Sequence, residues 1–149
     1  PQQVASWKEI LELQGIVNVI LTGFIANEEL PLYQAAAEVL LMPYEKNFSG
    51  SGGGNIASVS SPMKMFEYMA AGRVIFTSSL PVLREVLNEA NAAFYIPEDF
   101  DDLRLQFSAL INDKATRDRL AHQARMDVRA YEWKTRMKRI MQVFANQSN

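Results

Sequence analysis

The segment Ser60-Ser61-Pro62-Met63-Lys64-Met65-Phe66-Glu67-Tyr68-Met69-Ala70-Ala71-Gly72 places a helix start, a carboxylate and a helix stop within a few turns, and it constrains the fold more than any other part of the chain. Ser61 suits the capping position, where a hydroxyl accepts from the free amides of the first turn. Pro62 suits the first helical position, because its missing N–H would have no partner there. Gly72 tolerates the positive φ just past a helix end. Arg73-Val74-Ile75-Phe76-Thr77 then reads as a short buried strand, so the unit is loop, helix, strand.

Within that helix Met65, Phe66, Met69 and Ala70 recur at the spacing of one apolar face, while Lys64, Glu67 and Ala71 fall on a neighbouring face. Two readings of Glu67 follow. In one it pairs with Lys64 on a solvated face. In the other an anionic ligand meets the unpaired amides and positive dipole at the helix start, near Ser60, Ser61 and Pro62, and Glu67 one turn on accepts hydrogen bonds from ligand hydroxyls.

Strand-like runs at residues 18–23, 39–43, 73–77 and 92–96 alternate with helical patterns. That alternation predicts an α/β chain, a Rossmann-like parallel sheet flanked by helices. In such sheets ligands lie beyond the carboxyl ends of the strands, here the loops after Met42, Thr77 and Ile96. Tyr44 stands just past the first of those ends. After Pro97 the pattern is helical over residues 99–111, with Leu103, Phe107, Leu110 and Ile111 on one face, and a second helix starts at Lys114. Asp99, Asp101 and Asp102 read as caps of the first of these helices rather than as a metal site. Trp133, Met137, Ile140 and Phe144 give the last helix an apolar stripe.

Residues 45–61 form a long connection containing Ser49-Gly50-Ser51-Gly52-Gly53-Gly54, which cannot pack a core. Long connections without internal structure are often binding loops. Glycine lets backbone amides approach phosphate, so Gly50 and Ser51 join the candidate site as part of a loop that covers a ligand.

These pieces, in order, resemble the C-terminal domain of retaining GT-B glycosyltransferases of the group 1 family. Asn18-Val19-Ile20-Leu21-Thr22-Gly23 is similar to a family strand ending in Gly, followed by a helix from near Asn27 through Tyr33. Val39-Leu40-Leu41-Met42-Pro43-Tyr44, Leu80-Pro81-Val82-Leu83-Arg84-Glu85-Val86 and Tyr131-Glu132-Trp133 resemble later family segments. The family carries two Glu separated by seven residues; the second falls on Glu67, whereas the first falls on Val59, so this chain resembles the Ser-Pro-x-Lys-x-x-Glu variant.

The resemblance implies that Glu67 binds the ribose of a nucleotide-sugar donor while Ser61, Lys64 and the helix start face its phosphates. It implies transfer of a sugar from a UDP-, GDP- or ADP-sugar to a sugar or lipid-linked acceptor with retention of configuration, in polysaccharide biosynthesis, with no cofactor or bound metal. It also implies that residues 1–149 are part of a nucleotide-sugar-binding domain, that the N-terminal acceptor domain is absent, and that the isolated piece is inactive. The strand at 18–23 would then lack neighbours, so the piece is expected to expose apolar edges and to associate or melt easily.

Composition narrows the alternatives. A net charge of -2 gives no general attraction to nucleic acid, and the absence of cysteine excludes a disulfide framework or a thiol nucleophile. No apolar run reaches the roughly 20 residues that span a bilayer, and no signal peptide opens the chain. A cytoplasmic protein is expected, with contact to membrane limited to its periphery. Two rival readings remain. Residues 114–139 hold nine Lys or Arg against three Asp or Glu, a basic bias that fits nucleic acid, although no recognition motif accompanies it. Val59, in turn, fits a domain that kept the fold as a non-catalytic interaction module. His122, the only histidine, falls on a polar helix and reads as a surface residue.

Overall fold

The computed structural model describes residues 2–46, 63–135, 137–138 and 141–142. They fall into two compact units, Pro1–Tyr33 and Gln34–Asn149. The first opens with α1 (Gln2–Leu13), a helix the sequence analysis did not anticipate. It stops at Gly15, whose φ of 65° lets the Gly15 N–H donate to Glu12 O and the Ile16 N–H to Leu11 O, the paired bonds of a glycine-terminated helix end.

The strand expected over residues 18–23 does not form. An extended segment becomes a strand only when its amides and carbonyls find a ladder, and these residues have none among the described ones. Its side chains are correspondingly open to solvent, with Ile20 86% exposed. A turn then leads into α2 (Leu30–Ala36), which overlaps the expected helix.

The second unit contains a parallel sheet of order β1-β2-β3, with β1 at Val39–Met42, β2 at Val74–Ser78 and β3 at Ala93–Tyr95. Each lies within a residue or two of its expected position. β2 is buried along its whole length, as a central strand covered on both faces requires. α3 (Met63–Ala71) joins β1 to β2 and turns Met65 and Met69 into the core, as the apolar spacing predicts. It ends at Gly72, with φ 65°.

The helices sort into two packed layers. On one face Met65, Met69, Leu83 and Leu87 pack against Ile75 and Met42, with short α4 (Pro81–Arg84) contributing Leu83. On the other, Leu110 of α5 (Phe100–Asn112) packs against Phe76 and Tyr95, and Phe76 meets Phe107 at 5.5 Å between ring centres. α6 (Lys114–Asp127) serves both layers, placing Leu120 in one cluster and Ala124 in the other. A single turn of 3-10 helix, Val128–Tyr131, follows. Asp99 caps α5 as expected, its Oδ1 accepting from the N–H groups of Asp101 (3.1 Å) and Asp102 (2.9 Å). Of the expected apolar face of α5, Ile111 is exposed. Residues 133–135, 137–138 and 141–142 are helical, with Trp133, Met137 and Met141 exposed, while Ile140 and Phe144 lie outside the described residues.

Candidate functional site

Because all three strands run parallel, Met42, Ser78 and Tyr95 end on one edge, and the loops beyond them meet there. That edge is cross-braced. The Thr77 hydroxyl, fully buried on β2, donates to Met42 O at 2.9 Å, and the Tyr44 N–H donates to the same carbonyl at 3.0 Å. The Ser79 N–H donates to Tyr95 O at 2.9 Å, which fixes the exit of β2 to that of β3. Across the top, the Lys46 N–H donates to Glu98 Oε1 at 3.1 Å, and Lys46 Nζ lies 3.6 Å from Glu98 Oε2. Lys46, Glu98, Asp99 and Phe100 line a concavity of about 530 Å³ on this edge.

α3 ends two residues before β2 begins, so its first turn lies toward the same carboxyl edge. Lys64 and Glu67 are both exposed on it. Among the described residues no ion pair joins them, so the pairing on a solvated face is not made. Tyr68 is half-buried beside them. Burial pushes its phenol up from the usual value first, with smaller upward contributions from Tyr44 and from the Glu67 carboxylate. Tyr44 is likewise raised by burial and packs against the Met42–Met65 core. The fold thus brings Tyr44, Tyr68 and Glu67 into one locality, with Lys64 one turn away on α3. Ser60, Ser61, Pro62, Gly50, Ser51 and Val59 lie outside the described residues.

Sequence reasoning missed the Lys46–Glu98 clamp, the Thr77 brace and Tyr68. Thr77 alone carried a signal, as a polar residue ending a buried strand. Glu98 carried none as a site residue, since its partner Lys46 lies 52 residues away in sequence.

Several polar side chains elsewhere are occupied by structure. Arg84 stacks on Phe94 with its guanidinium 3.4 Å from the ring centre, donates to Ser79 Oγ and pairs with Glu89. Asp102 Oδ2 accepts from the Ile96 N–H at 2.7 Å, holding the loop after β3. Part of the basic C-terminal bias is used in the same way: Arg117 donates to Leu110 O and Ile111 O at the end of α5, and Lys114 pairs with Asp118 at 2.5 Å. His122 is exposed. Among the described residues no group of three or more His, Asp or Glu could hold a metal ion, and no helix is long and apolar enough to cross a membrane.

Comparison with solved structures finds the same fold in parts of several glycosyltransferases. Sucrose-phosphate synthase from Thermosynechococcus elongatus superposes with a TM-score of 0.71 at 21% identity, over 95% of this chain and 33% of that one. Anabaena HepE, solved in complex with UDP and glucose, gives 0.71 at 16% identity over 96% of this chain and 36% of its own. The C-terminal domain of the group 1 family glycosyl transferase LpcC from Francisella tularensis gives 0.64 at 17% identity, over 87% of this chain and 62% of that one. At these identities the likeness is one of fold, and the chain spans about a third of the length of the first two proteins. No curated protein sequence matches. The sequence model of the glycosyl transferase-like family matches residues 4–142, nearly the whole chain, and on that match the chain belongs to the glycosyl transferase-like family.

Proposed function

We propose that residues 1–149 form the donor-nucleotide part of a retaining glycosyltransferase whose acceptor domain lies elsewhere in a longer protein. In this reading a UDP-, GDP- or ADP-sugar lies on the carboxyl edge of the sheet, and a hexosyl group passes to a sugar or lipid-linked acceptor in polysaccharide biosynthesis. Glu67 accepts hydrogen bonds from the ribose hydroxyls, while Lys64 and the start of α3 face the diphosphate. Tyr44 belongs to the same substrate-binding set, as do Gly50, Ser51, Ser60, Pro62 and, for the phosphates, Ser61, all five outside the described residues. The main catalytic contribution of this part is electrostatic: stabilising the negative charge that builds on the leaving nucleoside diphosphate. The enzyme works in the cytoplasm, with membrane contact only at its periphery, and this part alone is inactive.

The observation that carries the reading is Glu67 itself. It is an exposed carboxylate one turn into a helix that starts at the carboxyl edge, and it has no ion pair with the lysine on its own face. The complex of HepE with UDP-glucose, in a protein of the same fold, supports the donor class. The test is Glu67→Ala in the full-length enzyme. Losing even one charge-assisted hydrogen bond, worth about 1.5–3 kcal/mol, raises the donor Kd by roughly tenfold to a hundredfold with the melting temperature unchanged. An unaltered donor Kd removes the ribose role.

A further inference from the structure

We infer that Glu98 is a positioning residue for donor binding: its carboxylate holds the chain leaving β1 at Lys46, and so sets where Tyr44 stands on the carboxyl edge. The inference rests on the donor-site reading above and adds a residue to it.

The backbone of Glu98 has a φ of 68°, and it is the only described non-glycine residue with a positive φ. Residues with a Cβ are disfavoured there, and glycine adopts that conformation freely. A glutamate in that place therefore works against the local backbone preference, and the side chain must supply something a glycine would not. What it supplies is a two-point clamp. Oε1 accepts the Lys46 N–H at 3.1 Å across 52 residues of sequence, and Oε2 stands 3.6 Å from Lys46 Nζ.

Stability does not account for this arrangement. The two side chains are 55% and 49% exposed, and ion pairs so open to water add little to folding. Direction does account for it. The hydrogen bond is to backbone, so it fixes the path of the chain two residues beyond Tyr44, whose own N–H is already held by Met42 O at 3.0 Å. Tyr44 is thus held from both sides; it packs against the core cluster on this face of the sheet and shares its locality with Tyr68 and Glu67. The positive φ belongs to the turn over residues 96–99, closed by the Asp99 N–H on Ile96 O at 3.1 Å, whose third position favours glycine, so the glutamate sits there at a local cost that its contact with Lys46 offsets. Small misplacements of a positioning group weaken binding or catalysis steeply.

The experiment compares Glu98→Gly and Glu98→Gln in the full-length enzyme, with UDP-glucose, GDP-mannose and ADP-glucose as donors. Glycine relieves the backbone and deletes the clamp; glutamine keeps a carbonyl that accepts the Lys46 N–H. The expected result for Glu98→Gly is a melting temperature equal to or above wild type, together with a donor KM raised by about tenfold and an unchanged KM for acceptor. Glu98→Gln is expected to restore the donor KM to near wild type. A wild-type donor KM in Glu98→Gly, or a rise shared by Glu98→Gln or accompanied by a lowered melting temperature, overturns the positioning role while leaving the donor site standing. If the wild-type enzyme uses no nucleotide-sugar, the donor-site reading falls, and the positioning role with it.

Discussion

At the scale of single residues the structure turns on a few positions where backbone and side chain meet. Gly72 ends α3 with a φ of 65°, and a Cβ built there would lie 3.1 Å from Arg125 Cδ on α6. Gly72→Ala is therefore expected to lower stability by about 1–2 kcal/mol, mainly from the left-handed backbone, because Arg125 is a flexible chain that can move aside. A denaturant melt checks it: an unchanged midpoint with an unchanged slope contradicts the account. Gly72 was readable in advance, since glycine directly after an apolar helical pattern has one common use. Glu98 was not, because the partner that gives its side chain a role, Lys46, is remote in sequence, although the turn that sets its φ is local.

At the scale of elements, capping decides where α5 and α6 begin. Asp113 accepts from the Thr116 N–H at 2.9 Å and the Thr116 hydroxyl at 2.7 Å. Its carboxyl is held below the usual range, first by the backbone bond from Thr116 and then by the hydroxyl. A carboxyl with a depressed folded pKa adds stability above its unfolded pKa and loses that contribution as pH falls through the folded one. Asp113→Ala is thus expected to lower the melting temperature at neutral pH, with the gap from wild type closing as the solution is taken below the ordinary aspartate range. A gap that does not change with pH contradicts the charged cap. The helices after Pro97 were legible because their caps and stripes are local. Residues 18–23 misled because they have a strand's composition, whereas a strand needs a paired neighbour that composition does not supply. α1 was missed although Trp7, Ile10 and Leu11 precede the stop at Gly15.

At the scale of the whole molecule, three parallel strands place their exits on one edge, and the loops there are tied by Thr77, Ser79 and Glu98. That much of the candidate site followed from the alternation of strand and helix patterns. The side chains that surround Glu67 did not, because they depend on how α3 packs over the core. The donor-site reading is tested most directly by titrating an isotope-labelled sample of this chain with UDP, GDP and ADP while following backbone amide shifts. The account predicts saturable shifts centred on Lys64 and Glu67 and spreading to Tyr44, Lys46 and Glu98, larger for one base than for the others. A folded sample with no shifts at those residues for any of the three nucleotides would contradict it.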